Sequence, residues 1–170
     1  MEKEQEKYKL NLSAANEAVA EYVRNIDTAE QFTSLPEETA FTNFFEDKML
    51  VIYTIRHGLT YELFDQIKSI TPFTESDWAE FLEVSPKTLQ RYSKDPKHLF
   101  KSIHTEKILE IAEVTHIGGQ VFDSPEQFHL WLKTPSYSLN NLKPIELLKD
   151  SYGKELIMEE LNRIEHGIFA

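Results

Sequence analysis

A chain of 170 residues that is 41% apolar and 28% charged can bury a sizeable core in one or two domains. It has no cysteine, which excludes disulfides, thiol catalysis and thiolate metal sites, and no apolar run near the ~20 residues that a membrane-spanning helix needs. The formal net charge is −11, but between Ser85 and Lys107 six Lys and Arg face only two Asp and Glu, a local +4 that leaves −15 for the rest. A basic patch on an acidic body fits a nucleic-acid footprint, and it equally fits a Lys-rich solvated helix face.

The opening "MEKEQEKYKL" alternates charges and has no signal-peptide core, so cytoplasmic residence is expected. In "LSAANEAVAEYVRNI", Leu12, Ala15, Val19, Tyr22, Val23 and Ile26 recur at helical spacing. "TSLPEETAFTNFFEDK" contains Pro36 and reads as a turn into a short helix. "LVIYTI", residues 50–55, fits a short strand or a buried helical turn, and Gly58 reads as a break.

From Leu59 the pattern sharpens. Leu63, Phe64, Ile67 and Ile70 make one helical face. Thr74 followed by Asp77 predicts a capping box, and Trp78, Phe81 and Leu82 then face one core. Glu83 and Val84 form a turn. Ser85 as N-cap and Pro86 as first helical residue open a second short helix, because proline lacks an N–H that would be unpaired there. Leu89 points inward, whereas Lys87, Gln90, Arg91 and Lys94 share a polar face. Two short helices and a tight turn, the second basic outside, predict a helix-turn-helix.

In that arrangement Ser85 and Thr88 suit phosphates near a helix N-terminus. Gln90 suits adenine and Arg91 suits guanine, each bidentate contact discriminating by ~1–3 kcal/mol. Lys94 and Lys97 suit phosphate neutralisation. Such readers bind as dimers, since one short helix offers too little interface, so a homodimer is expected. The competing reading is a helix-turn-helix that only packs.

A long helix over about Thr105–Ile117 turns Ile108, Ile111, Ala112 and Thr115 inward, and Gly118-Gly119 interrupts or ends it. Ser124-Pro125-Glu126-Gln127 is a strong helix start, opening "EQFHLWLKT", which Pro135 stops. "SYSLNNLK" is a loop, and Pro144 begins the short helix "PIELLKD". Asp150 or Ser151 caps a last helix, "YGKELIMEELNRIEHG", striped by Ile157, Leu161, Ile164 and Ile168, with Gly167 at the position after the helix end. The terminal "IFA" stays apolar. It either tucks into the protein's own core or plugs a partner's pocket.

Enzyme chemistry finds little support. His57, His98, His104, His116, His129 and His166 show no metal-ligand spacing, and no phosphate loop, G-x-S-x-G or G-x-G-x-x-G occurs. Glu159 and Glu160 read as a solvated pair, Trp78 and Trp131 as core residues. No catalysis, metal or cofactor is expected.

The ordered set "SPKTLQRY", "EKILEIAEV", "GGQVFDSPEQFHLWLKTP" and "KPIELLKDSYGKELIMEELNRIEHGI" resembles the Xre/MbcA/ParS family of type II antitoxins over roughly residues 55–170. One departure is Asn140-Asn141, where family members usually carry Gly-Gly; Asn tolerates left-handed backbone better than most residues. The resemblance implies an all-α protein. Its parts would be a variable helical region (1–54), an Xre-like helix-turn-helix (55–103) and a small helical toxin-binding domain (104–170). It further implies an antitoxin that represses its own operon at operator DNA and occludes the active site of a NAD-consuming RES-domain toxin. The occluding end would be Arg163, His166, Gly167, Ile168, Phe169 and Ala170. The acidity outside the basic stretch would suit a basic partner. The alternative is a stand-alone helix-turn-helix regulator whose C-terminal domain only dimerises.

Overall fold

The computed structural model describes residues 2–25 and 41–167, with the side chains of 2–12 and Thr42 left aside. Among these residues the protein is all-α. The elements run α1 (Glu2–Asn25), α2 (Phe41–Phe44), α3 (Lys48–His57), α4 (Tyr61–Ile70), α5 (Glu75–Phe81), α6 (Pro86–Tyr92), α7 (Ser102–Val121), α8 (Pro125–Lys133), α9 (Pro144–Leu147) and α10 (Ser151–Glu165). A 3-10 turn lies at Tyr137–Leu139, and the pairings Thr60 with Leu99 and Ser136 with Leu142 are isolated bridges. No described helix is long and apolar enough to cross a membrane. The chain divides into two compact units, residues 1–71 with 87–106, and residues 72–86 with 107–170.

In the first unit α1 packs along α4 and α2. Ala15, Val19, Tyr22 and Val23 are buried as their spacing predicts, while Ile26, the Leu12 side chain and the Pro36 turn lie outside the described residues. The Tyr22 hydroxyl donates to the Gly58 carbonyl, and burial raises its pKa. The 50–55 segment is helical rather than extended. The Asp47 carboxylate accepts from the backbone N–H groups of Met49 and Leu50, which starts α3, and Gly58 closes it at φ 95°. Leu63, Phe64, Ile67 and Ile70 of α4 are all buried.

Buried Thr105 ties two linkers together: its Oγ1 accepts from Leu59 N–H at 3.1 Å and donates to the Phe100 carbonyl at 3.3 Å. The Phe100 ring packs against Phe64, Tyr61 and Tyr92. The polar clamp and the aromatic cluster together hold the segment between α6 and α7.

In the second unit the Thr74–Asp77 capping box is present on both sides, and Trp78, Phe73 and Phe81 pack edge to face. Ile108, Ile111, Ala112 and Thr115 of α7 are buried. Gly118-Gly119 does not end α7, which runs to Val121. Gly118 serves packing instead. A Cβ there would lie 2.3 Å from the Phe128 ring, so the missing side chain lets α8 close on α7. Phe128 in turn stacks on Trp131, 6.0 Å between centroids. Trp131 is half-buried rather than a full core residue, and it also meets Phe122. Ser124 caps α8 by accepting from the Gln127 N–H.

Candidate functional site

The C-terminal helix α10 takes its position from one glycine and one ion pair. Gly153 is buried, and a Cβ on it would lie 1.9 Å from the Leu147 carbonyl oxygen, so α10 can start only this close to α9 if residue 153 has no side chain. Ile157 and Leu161 are fully buried. On the neighbouring side the Lys154 ammonium pairs with Glu113 of α7 at 2.7 Å. Near the base of α9 the Lys107 ammonium reaches the Leu148 carbonyl at 3.4 Å and Glu110 at 2.6 Å.

The far end of α10 is closed by the main chain. His166 N–H donates to Asn162 C=O at 3.1 Å and Gly167 N–H to Ile164 C=O at 3.0 Å, with Gly167 at φ 66°, the left-handed conformation expected of its position. The His166 ring also approaches the Asn162 carbonyl, Nδ1 at 2.8 Å. His166 and Gly167 are exposed; Ile168, Phe169 and Ala170 lie outside the described residues.

Arg163 is already held within the chain: its Nη2 pairs with Glu160 at 2.5 Å. Glu160 is therefore not half of a solvated acidic pair. Its side chain is only 13% exposed, and its second oxygen accepts from the Ser138 hydroxyl at 2.6 Å. The i,i+3 spacing of Glu160 and Arg163 is legible in sequence. Ser138, 22 residues away, is not.

That hydroxyl sits in the 136–142 turn. Asn140 and Asn141 stand at φ 56° and 60°, both left-handed, so the pair adopts the backbone for which glycine is the usual choice. Asn141 N–H donates to Ser136 C=O at 2.8 Å and Ser136 N–H to Leu142 C=O at 3.0 Å, which pinches the turn shut. Asn141→Gly should leave thermal stability nearly unchanged. Asn141→Ala should lower it by about 1 kcal/mol, because alanine keeps the Cβ but lacks the short polar side chain that lets asparagine tolerate that region, read from paired denaturant curves.

The second candidate surface is α6. Leu89 is buried, whereas Ser85, Lys87, Gln90, Arg91 and Lys94 are exposed and Thr88 is half-buried. Helix α6 ends at Tyr92, so Lys94 belongs to the turn that follows, its N–H donating to Arg91 C=O at 3.3 Å, and not to the helix face. Before α6 the turn is tight: Glu83 is left-handed at φ 52°, and Val84 N–H donates to Ala79 C=O at 3.0 Å. The Tyr92 ring stacks on His98, 3.8 Å between centroids, and the Arg91 guanidinium lies 5.7 Å from the Tyr92 ring. Burial lowers the His98 pKa, which favours the neutral imidazole in that stack near pH 7. Sequence reasoning missed this Tyr92–His98 support, because His98 lies beyond the helix in an irregular segment.

Among the described residues no group of three or more His, Asp or Glu could hold a metal ion. The two surfaces offer binding groups: hydroxyls, an amide and cations on α6, and a helix end with a fixed guanidinium on α10.

The second unit therefore has the makings of a protein-binding module, an all-helical scaffold that ends in an exposed helix terminus. Residues 118–167 match the family described as the antitoxin Xre/MbcA/ParS C-terminal toxin-binding domain. Among solved structures the chain is similar to one from the M.tuberculosis MbcT-MbcA toxin-antitoxin complex, with a TM-score of 0.50 and 18% identity over 63% of this chain and 94% of that one. That likeness bears on the fold, which is helical in both. No curated protein matches.

Proposed function

We propose that the protein neutralises a NAD-consuming RES-domain toxin by occluding its active site, and represses its own operon through a helix-turn-helix whose reading helix is α6. The observation that carries the first half is the family match at 118–167, which takes in α10, with Arg163 in its last turn and the exposed His166 and Gly167 just beyond it. Blocking the mouth of a dinucleotide site requires no chemistry from the inhibitor, so the absence of catalytic motifs is consistent with this role. In the cytoplasm the acidic body would speed encounter with a basic toxin.

The second half rests on α6, whose polar side chains Lys87, Gln90 and Arg91 face solvent over a buried Leu89. A homodimer would present two such helices to an operator. Arg91→Ala should weaken operator binding by about 1–3 kcal/mol, roughly five- to 150-fold, and leave toxin inhibition unchanged. Electrophoretic mobility shift on the promoter DNA of its own operon measures the first quantity, and the toxin's NAD turnover measures the second. Unchanged operator affinity overturns the assignment of α6 as the reading helix.

A further inference from the structure

The C-terminal unit leaves several large apolar side chains uncovered. Tyr152 and Leu156 of α10 are 83% and 47% exposed, and Tyr137 and Leu142 of the 136–142 turn are 84% and 44% exposed. At about 100° per residue, Leu156, Arg163 and Tyr152 fall within roughly 40° of one another on α10, with buried Ile157 and Leu161 roughly 100–180° around the helix from them. Glu160 stands between the two faces. One of its oxygens takes the Ser138 hydroxyl, which lies 2.8 Å from the Ser136 hydroxyl, and the other takes Arg163. A single carboxylate thus pins the tyrosine-bearing turn to the helix and fixes the guanidinium.

We propose that this flank, Tyr137, Leu142, Tyr152 and Leu156 around a Glu160-held Arg163, is the main docking surface for the toxin, so that recognition extends back from the chain end along α10. The proposal rests on the toxin-binding reading above and adds where and how that binding is made. All five residues fall inside the matched toxin-binding segment. Tyr and Arg are the residue types that carry interface energy, and an apolar centre with an acidic rim, here Glu155 and Glu159, is the usual anatomy of such a patch. Prior fixing of Arg163 and the turn lowers the ordering cost of association. The partner surface that fits is an apolar depression for Tyr152 and Leu156 next to a carboxylate for Arg163. Glu160 acts through Arg163 and Ser138, as a positioning residue.

The test is calorimetric titration of the full-length protein with the RES-domain product of the adjoining reading frame. Tyr152→Ala/Leu156→Ala should weaken binding at least about tenfold with an unchanged circular dichroism spectrum. Glu160→Gln, which keeps an acceptor for Ser138 but removes the charge beside Arg163, should weaken it by a smaller factor. Ile103→Ala, an exposed apolar change in the other unit, should do nothing. Wild-type affinity in the double variant overturns the flank while leaving the toxin-binding reading intact. The flank is equally overturned as a toxin site if the double variant converts a dimer to a monomer at unchanged toxin affinity, for then it joins two copies of this chain. No binding by the wild-type protein overturns the toxin-binding reading itself, and the flank with it.

Discussion

Gly153→Ala should destabilise the C-terminal unit and abolish toxin binding, although alanine is the better helix former. The propensity gain is about 1 kcal/mol. Against it stands a Cβ placed 1.9 Å from the Leu147 carbonyl oxygen and 2.7 Å from its carbon. Both are backbone atoms, so no rotamer change relieves the overlap, and α9 must separate from the start of α10. That movement uncovers Leu148, 1% exposed, and disturbs the Leu148 carbonyl that Lys107 contacts. Overpacking a well-filled site costs about 1–3 kcal/mol and more where backbone must shift, so a net loss of roughly 2 kcal/mol is expected. Urea denaturation gives the stability, and titration with the toxin gives the binding. Gly167→Ala is the informative control. Among the described residues nothing lies within 4 Å of the added carbon there, so the expected cost is that of the left-handed φ of 66° at an exposed helix end.

Removal of His166–Ala170 should have the opposite profile: stability retained, toxin neutralisation lost. Among the described residues Gly153, Ile157 and Leu161 are the buried ones of α10, and His166 and Gly167 are exposed. Truncation therefore takes no described core residue. It removes the segment proposed to occlude the toxin's active site, and loss of such an interface element costs at least about 2 kcal/mol, some thirtyfold in affinity. Operator binding by the truncated protein should match wild type. Loss of operator binding together with neutralisation means that the tail is a structural element of the protein's own fold.

Local rules carried much of the fold. Caps and breakers are short-range chemistry, so Thr74–Asp77, Ser124, Pro125, Pro144 and Gly58 mark element ends in the sequence as they do in the structure. Helical stripes did the same for the cores of α4 and α7 and, in α10, for Ile157 and Leu161, while Ile164 is half-buried and Ile168 lies outside the described residues. The errors share one origin, contacts made at long range. Gly118-Gly119 reads locally as a helix end, yet the helix continues because the Phe128 ring needs the space. The apolar run at 50–55, by contrast, fits both a strand and a helical turn, and a local contact, the Asp47 cap, decides for a helix. Glu160 reads as solvated until Ser138 is brought beside it.

The candidate surfaces were legible to different depths. The exposed face of α6 follows from period alone, except that the helix stops two residues short of Lys94. The α10 terminus is marked by Gly167, an end signal that acts locally. The flank carrying Tyr137, Leu142, Tyr152 and Leu156 was not legible, because a turn and a helix share it only after folding. Exposed apolar residues look in sequence like any others, and only their lack of cover distinguishes them.

The most direct measurement follows NAD consumption by the proposed partner, a RES-domain toxin, as this protein is titrated in, with and without saturating operator DNA. Turnover should fall to background at the same protein concentration in both cases, since α6 and α10 belong to different compact units and are proposed to bind different partners. Undiminished NAD loss at saturating protein contradicts toxin occlusion, and restoration of turnover by operator DNA contradicts the independence of the two surfaces.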